Sequence, residues 1–221
     1  MLVDDTPLDK PGTRVREDAR VRLKGGVRRF VSRGGEKLAG ALVDLGIDPG
    51  GLVCLDVGAS TGGFTDCLLQ RGAAHVVALD VGYGQLHQRL RDDDRVTVLE
   101  RTNARHLEAG ALPRAVDLVS VDVSFISARL LLPALARAAP GADLVVMVKP
   151  QFEAGRERVG KGGVVRDDAL RAETAQAVAD SALALGYESR GRVDSRVAGP
   201  KGNREIFLWL HPRDVAAKPG R

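Results

Sequence analysis

Two charged residues stand where apolar segments of the sequence end. Asp122 follows residues 118–121 and Lys149 follows residues 144–148, and both segments are rich in Leu and Val. Apolar strands rarely need to end in a charge for structural reasons, and a lysine amine can take a proton from a hydroxyl group. Both residues are therefore candidates for catalysis. The alternative interpretation is a charge that caps a sheet edge in solvent.

Lys37 and Glu205 are two further candidates, with weaker support from their positions. Lys37 lies early in a predicted helix, after Ser32-Arg33-Gly34-Gly35, and Glu205 opens the last predicted strand. On spacing alone, a surface lysine and a turn residue are the more ordinary interpretations, because lysine and glutamate are mostly exposed in folded proteins.

A turn of small residues follows the strand predicted over 52–57. In open parallel sheets, ligands bind beyond the carboxyl ends of the strands, and small residues let the backbone approach a ligand closely. The glycine spacing matches neither the G-x-G-x-x-G fingerprint of dinucleotide sites nor the P-loop. A tight turn without a ligand is the alternative. The candidate residues are Gly58, Ala59, Ser60, Thr61, Gly62 and Phe64.

Asp80 ends the next predicted strand, over 75–80. An acid at this position is placed to accept hydrogen bonds from the ribose hydroxyls of a nucleoside. The acid and the small-residue turn together favour S-adenosylmethionine, because its sulfonium group needs no phosphate cradle.

The order of the predicted elements indicates an α/β fold. Short apolar strands alternate with amphipathic helices, which is typical of a mostly parallel sheet with helices on both faces. A separate strand over 19–24 has one apolar and one basic face. The predicted helices span 36–45, with Gly46 as C-cap, 63–71, 126–139 and 169–185, and the predicted strands span 52–57, 75–80, 96–99, 117–123, 143–148, 192–197 and 205–210.

Composition narrows the class of protein. The chain has 221 residues, 44% of them hydrophobic and 28% charged, which fits one globular domain with a short appendage. It has no run of eighteen apolar residues and no basic-then-apolar signal pattern, so we expect a cytoplasmic protein with no membrane partner. Cys54 and Cys67 are interpreted as buried thiols. The four histidines lack ligand spacing, so no metal centre is expected.

Positive charge is concentrated near the N-terminus. Residues 20–37 contain seven bases and one acid, a net charge of +6 that leaves −2 for the rest of the chain. This asymmetry predicts an anionic partner such as nucleic acid, and a solvated basic face is the alternative. We expect the segment and a glycine-rich loop to form a rim that faces this nucleic-acid partner. The residues expected to contact it are Arg20, Arg22, Lys24, Arg28, Arg29, Arg33 and Lys161.

Six segments carry a resemblance to a known family, and they occur in the family's order between about residues 11 and 210. The segments are SRGGEKL, DVGASTGGFTD, DVSFIS, VKPQFE, VGKGGVVRD and GPKGNREIFLWL. They resemble the TlyA family of haemolysin-like ribosomal RNA methyltransferases, which belongs to the FtsJ-like ribose 2′-O-methyltransferases. The resemblance implies a Rossmann-like fold with a seven-stranded sheet, S-adenosylmethionine as cofactor, and cytidine in ribosomal RNA or ribosomal subunits as substrate.

The resemblance also implies roles for individual residues. A catalytic tetrad falls on Lys37, Asp122, Lys149 and Glu205, in which Lys149 takes the hydroxyl proton and the acids orient the lysines. The implied cofactor contacts are Gly58 to Gly62, Phe64, Asp80, Asn103 and Asp122.

The same resemblance suggests how the chain is divided. The family begins with an S4-like RNA-binding module, of which we expect residues 1–27 to be the C-terminal remnant. Residues 28–34 would be a linker, 35–212 the methyltransferase domain and 213–221 a flexible tail.

Three other functions compete with RNA methylation. One is a nucleotide-dependent oxidoreductase on the same fold, which the glycine spacing disfavours. The second is a membrane-active haemolysin, for which the sequence has no evident membrane-seeking helix. The third is a non-catalytic remnant that binds S-adenosylmethionine or RNA.

Overall fold

The computed structural model describes residues 2–8, 13–22, 29–199 and 201–213. A small antiparallel sheet contains β1 (Leu2–Val3), β2 (Thr6–Pro7) and β3 (Val21–Arg22), in the order β2-β1-β3. The main sheet has seven strands, β4 (Val53–Val57), β5 (His75–Leu79), β6 (Val96–Leu99), β7 (Leu118–Val121), β8 (Asp143–Val148), β9 (Tyr187–Asp194) and β10 (Ile206–Pro212).

The main sheet has the order β6-β5-β4-β7-β8-β10-β9. Strands β4 to β8 are parallel, and β10 is antiparallel to both of its neighbours. The direction of strand addition reverses between β4 and β7, and such a reversal opens a crevice at the carboxyl ends of the strands. The candidate residues that follow β4 and β7 therefore lie at this crevice.

Helices cover both faces of the main sheet. Leu55 and Val57 of β4 belong to a core with the helices α4 (Leu132–Ala138) and α6 (Asp168–Leu183). Cys54 belongs to a second core with α1 (Arg33–Leu45) and α2 (Gly63–Gln70). The alternation follows from strand geometry, because successive side chains point to opposite faces. The predicted fold class is confirmed. The helices are α1 (Arg33–Leu45), α2 (Gly63–Gln70), α3 (Gln88–Arg91), α4 (Leu132–Ala138), α5 (Pro150–Glu153) and α6 (Asp168–Leu183).

Several predicted boundaries were wrong. The helix predicted from residue 126 begins only at Leu132, after a 3₁₀ turn, and Pro133 lies in its first turn, where a missing N–H costs nothing. The strand predicted over 192–197 spans Tyr187–Asp194; it is an edge strand with polar outward residues, so its start is hard to recognise. Helix α1 begins three residues early, at Arg33, whereas Gly46 is the predicted left-handed C-cap.

Candidate functional site

The turn after β4 brings two strand ends into close contact. Gly58 has a φ of 85°, and a Cβ at this position would lie 2.5 Å from the carbonyl oxygen of Asp122. Only glycine combines this backbone conformation with such an approach. The amides of Gly58 and Ala59 donate to the carbonyl of Leu79, at 2.8 and 3.1 Å. The turn is therefore fixed to the ends of β5 and β7.

Asp80 holds this turn to the loop that follows β5. Its Oδ2 accepts a hydrogen bond from the amide of Ser60 at 2.8 Å, and its Oδ1 accepts one from the amide of Gly82 at 2.7 Å. A carboxylate has about four lone-pair sites, so both oxygens keep the capacity to accept from a ligand.

A cavity of about 480 Å³ lies at the carboxyl ends of β4, β5 and β7. Apolar side chains, among them Val81 and Ile126, form part of its wall. It brings together five of the residues predicted to contact the cofactor, Gly58, Ser60, Asp80, Asn103 and Asp122.

The other predicted cofactor residues lie beside this cavity. Ala59, Thr61 and Phe64 line an adjoining cavity of about 250 Å³, which also contains Lys37. Gly62 lines neither cavity. A Cβ at Gly62 would overlap the side chain of Leu90, so this glycine is required for packing between the turn and α3.

The four residues of the implied tetrad form two ion pairs. Lys37 Nζ lies 3.0 Å from Glu205 Oε1, and Lys149 Nζ lies 2.6 Å from Asp122 Oδ1. Lys37 is 8% exposed and Glu205 3%, so position within the helix was a poor guide to the burial of Lys37. The Oε2 atom of Glu205 is buried without a hydrogen-bond partner among the described residues.

Strand register explains why these residues meet. Ile206 pairs with Val148 across β10 and β8, so Glu205 and Lys149 leave the same edge of neighbouring antiparallel strands. Asp122 leaves β7 on the other side of β8. Lys37 reaches Glu205 from the second turn of α1. This helix begins after the N-cap Ser32, whose hydroxyl accepts a hydrogen bond from the amide of Gly34.

A second large cavity, of about 450 Å³, contains the tetrad. All four tetrad side chains line it, and Asp122 also lines the 480 Å³ cavity. The arrangement can hold a methyl donor on one side of Asp122 and an acceptor hydroxyl on the other.

Sequence reasoning missed several residues of this second cavity. Ser124 accepts a hydrogen bond from Lys149 Nζ at 2.8 Å. Phe125 is 91% exposed with a φ of 67°, and its ring packs 5.3 Å from that of Phe152. These residues lie inside the motifs DVSFIS and VKPQFE, but their types alone did not single them out. Lys201 also lines the cavity.

A sequence model of the FtsJ-like methyltransferases matches residues 30–211. The chain belongs to this family. The match covers all strands of the main sheet except the last residue of β10.

Individual relatives of this FtsJ-like methyltransferase agree with the assignment. The 16S/23S rRNA (cytidine-2′-O)-methyltransferase TlyA of Mycobacterium tuberculosis is 54% identical over 210 residues, which cover 94% of this chain and 78% of that protein. Hemolysin A of Brachyspira hyodysenteriae is 44% identical over 181 residues, 81% of this chain and 75% of that protein. A solved hemolysin-like structure from Streptococcus thermophilus has a TM-score of 0.83 at 41% identity, covering 96% of this chain and 79% of that one. The resemblance to the TlyA family is confirmed.

The residues expected to contact RNA are only partly described in this FtsJ-like methyltransferase. Arg20, Arg29, Arg33 and Lys161 are exposed. Arg22 is exposed and pairs with Asp5. The expected contacts Lys24 and Arg28 lie outside the described residues. Lys37 belongs to the basic segment in sequence, but it is buried and pairs with Glu205, so it adds no charge to an outer rim.

Other expectations concern cysteines, membranes and metals. Cys54 and Cys67 are buried free thiols, as predicted, and burial raises the pKa of each to about 12. Among the helices of the described residues, none has the length and hydropathy needed to cross a bilayer. In the same part of the chain, His, Cys, Asp and Glu side chains form no group of three suited to a metal ion.

A buried acid, Asp56, supports the turn 58–62 of this FtsJ-like methyltransferase. Asp56 Oδ2 accepts hydrogen bonds from the amide and hydroxyl of Thr65, at 2.8 and 2.7 Å, which ties β4 to the first turn of α2. Burial raises the pKa of Asp56 to about 7, the Thr65 hydrogen bonds oppose this, and the charge of Asp122 adds to it. Sequence reasoning used this acid only as part of a motif.

We expect Asp56→Asn to flatten the dependence of stability on pH. The pKa of Asp56 is about 7 when folded, against about 3.9 in an unfolded chain, so the protonated acid stabilises the fold fully below the lower value. The stabilisation by the protonated acid is lost as the pH rises through about 7, the pKa of Asp56 in the folded protein. The free energy of unfolding of the wild type should therefore fall, relative to Asp56→Asn, by roughly 2–4 kcal/mol between pH 4 and pH 8. Urea unfolding measures it, with the exposed Asp94→Asn as control. Parallel pH curves would contradict the assignment.

Proposed function

We propose that this protein transfers the methyl group of S-adenosylmethionine to the ribose 2′-hydroxyl of cytidine in ribosomal RNA. One observation carries the proposal: Asp122 lines both the 480 Å³ cavity and the 450 Å³ cavity, and it pairs with Lys149. A donor in the first cavity and a hydroxyl in the second would thus meet at one carboxylate. Ribosomal RNA as the substrate also places the reaction in the cytoplasm.

The side chains that line the 480 Å³ cavity suit S-adenosylmethionine. Asp80 and Asn103 offer acceptors for ribose hydroxyls, and apolar side chains such as Val81 offer a surface for adenine. The turn 58–62 lets the backbone come close to the ligand, and Asp122 presents a negative charge where a sulfonium would lie. Among the described residues, none with a basic side chain lines this cavity. A phosphate-bearing cofactor would favour such a side chain.

The second cavity suits a ribose hydroxyl. When bound, S-adenosylmethionine supplies the methyl group as an electrophile on a positively charged sulfur. The neutral amine of Lys149 takes the proton from the 2′-hydroxyl. Asp122 then stabilises the ammonium group that results. Ser124 shows that Nζ already accommodates a hydroxyl oxygen at hydrogen-bond distance. These residues fix the position of the reacting oxygen, and positioning supplies a large share of the rate.

Lys37 and Glu205 complete the proposed site from the other side. Their buried ion pair holds both side chains in the cavity wall.

The name of the Mycobacterium tuberculosis relative supports ribosomal RNA and cytidine as the substrate. We also propose that residues 1–27 contribute to RNA binding and that residues 28–34 link them to the domain 35–212. The charge of +6 within residues 20–37 supports an RNA-facing role. Because such contacts neutralise phosphates and release counterions, binding should weaken steeply with salt.

Transfer of labelled methyl groups tests the proposal. The protein is incubated with labelled S-adenosylmethionine and unmethylated ribosomal subunits, and the label is mapped on the RNA. We expect label on a cytidine ribose. Binding of S-adenosylmethionine without transfer would instead support a non-catalytic remnant, and binding of NAD would support an oxidoreductase.

The name Hemolysin A of the Brachyspira relative motivates a second candidate, membrane lysis. Substitution of Lys149 distinguishes the two activities, because membrane lysis does not require the base proposed for methyl transfer. Lysis of erythrocytes by both the wild type and Lys149→Ala, with no methylation by either, would favour the second candidate.

Asp80→Ala should weaken S-adenosylmethionine binding. The substitution removes a charged acceptor for the ribose and releases the amides of Ser60 and Gly82, which costs roughly 1.5–3 kcal/mol, or about ten- to a hundredfold in affinity. Calorimetry measures the dissociation constant, with the exposed Asp94→Ala as matched control. Equal affinity of Asp80→Ala and wild type would remove Asp80 from the cofactor site.

A further inference from the structure

An exposed cation–π pair stands beside the 480 Å³ cavity, on loops that follow β5 and β6. Tyr83 is 69% exposed, and the guanidinium carbon of Arg101 lies 4.4 Å from the centre of its ring. Arg101 has a φ of 54°, in the left-handed region that few residues other than glycine adopt. A strained backbone that supports only exposed side chains suggests a functional requirement.

Hydrogen bonds join the two loops. The amide of Arg101 donates to the carbonyl of Gly82 at 3.0 Å, and the amide of Gly84 donates to Glu100 Oε1 at 2.8 Å. Glu100 also pairs with Arg91 of α3. These contacts keep the backbones of Tyr83 and Arg101 close to each other.

Positive charge on these loops is available to a partner. Neither Arg101 nor the exposed Arg105 forms an ion pair with any described residue, whereas Arg89, Arg91 and Arg95 nearby are all paired. An exposed aromatic ring next to uncompensated arginines is the combination that binds unpaired nucleotides, through base stacking and phosphate attraction.

We propose that Tyr83 and Arg101 form a stacking platform for an unpaired base of the RNA substrate, at a nucleotide that flanks the methylated one. The proposal rests on the proposed function in taking RNA as the substrate. It adds a contact outside the basic segment 20–37 and the loop at Lys161, on the side of the sheet where β5 and β6 lie.

The sheet order gives the platform its place relative to the tetrad. Lys149 follows β8 and the platform follows β5 and β6, which are three and four strands away in the main sheet. At about 4.8 Å per strand, the separation across the sheet is roughly 14–19 Å. An RNA strand lying along this edge would pass the mouth of the cofactor cavity and reach the platform a few nucleotides from its reacting ribose.

The cofactor is a less suitable occupant of the platform. Val81, Thr102 and Asn103 on the same loops line the 480 Å³ cavity, but Tyr83 and Arg101 do not. A ligand enclosed in that cavity would leave the platform exposed, so the platform is open to a second molecule that extends over the rim.

Binding titrations with substituted proteins test the platform. Transcripts of 16S and 23S ribosomal RNA are titrated at several salt concentrations, and affinity for S-adenosylmethionine is measured separately. Tyr83→Ala should weaken RNA binding about tenfold by removing one base-stacking surface, and Tyr83→Phe should restore it. Arg101→Ala should lower the slope of log affinity against log salt by about 0.7, whereas Arg101→Lys should keep the slope and lose the stacking affinity.

Arg192→Ala is the matched control, because Arg192 is an exposed arginine on β9 at the opposite edge of the sheet. It should leave RNA affinity unchanged. If Tyr83→Ala binds RNA as tightly as the wild type, the proposal of a stacking platform is wrong. It is also wrong if the variant loses affinity only for S-adenosylmethionine. If the wild type binds RNA through these residues but transfers no methyl group, the proposed function falls and the platform stands.

Discussion

Lys149→Ala is expected to lower the rate of methyl transfer by about 10²–10⁴-fold, the usual contribution of a positioned general base. The reason is geometric. Lys149 Nζ is the basic atom that contacts both Asp122 and the Ser124 hydroxyl, and its side chain is only 11% exposed, so water replaces it poorly. Transfer is measured as single turnovers of labelled methyl groups onto ribosomal subunits.

Affinity for S-adenosylmethionine serves as the internal control for Lys149→Ala. Lys149 lines the tetrad cavity and not the 480 Å³ cavity, so the dissociation constant should stay close to that of the wild type. Lys149→Arg separates two roles, because arginine keeps the positive charge but cannot become neutral to accept a proton. If Lys149→Arg transfers methyl groups as fast as the wild type, Lys149 acts by its charge and the base is another group.

Lys37→Met should destabilise the fold by about 3–5 kcal/mol, because it leaves the buried carboxylate of Glu205 without a counterion. The double variant Lys37→Met with Glu205→Gln should recover much of this loss, since it removes the unpaired charge as well. Urea unfolding measures each free energy.

An exposed pair provides the comparison for Lys37. Arg196 pairs with Asp44 on the surface between the strand end of β9 and α1, and Arg196→Met should change stability little because solvent screens that pair. A Lys37→Met variant as stable as Arg196→Met would show that Glu205 is not charged in the folded protein or that water reaches it.

The sequence predicted those features of the site that depend on strand ends. Asp122 and Lys149 could be selected because a charge ended an apolar run, and the parallel sheet then required them to share an edge. Lys37 could not be selected in this way. Its burial arises from the approach of Glu205, 168 positions away along the chain, and helix periodicity contains no information about that approach.

The errors in the fold have a similar cause. Strand β9 lies at the edge of the sheet, so half of its side chains face solvent and the apolar pattern fades at Glu188 and Arg190. The assignment of Gly62 to the cofactor site stays a prediction, and the sequence did not show that its small size is also needed for packing against Leu90 of α3. Phe125 was not singled out because an exposed phenylalanine in a left-handed backbone contradicts the usual preferences of that residue.

If Asp122 acts as proposed, its position between the two cavities makes the two substrates thermodynamically interdependent. In that proposal the carboxylate contacts the sulfonium of one ligand and orients Lys149, its ion-pair partner, toward the hydroxyl of the other, so the two binding equilibria are coupled. By linkage, the factor by which S-adenosylmethionine changes RNA affinity must equal the factor by which RNA changes affinity for S-adenosylmethionine. Neutralising Asp122 should bring both factors towards one together. In the proposed reaction the methylated product lacks the hydroxyl proton that Lys149 would accept. The cooperativity between the two ligands should therefore weaken after transfer, and product release should be favoured.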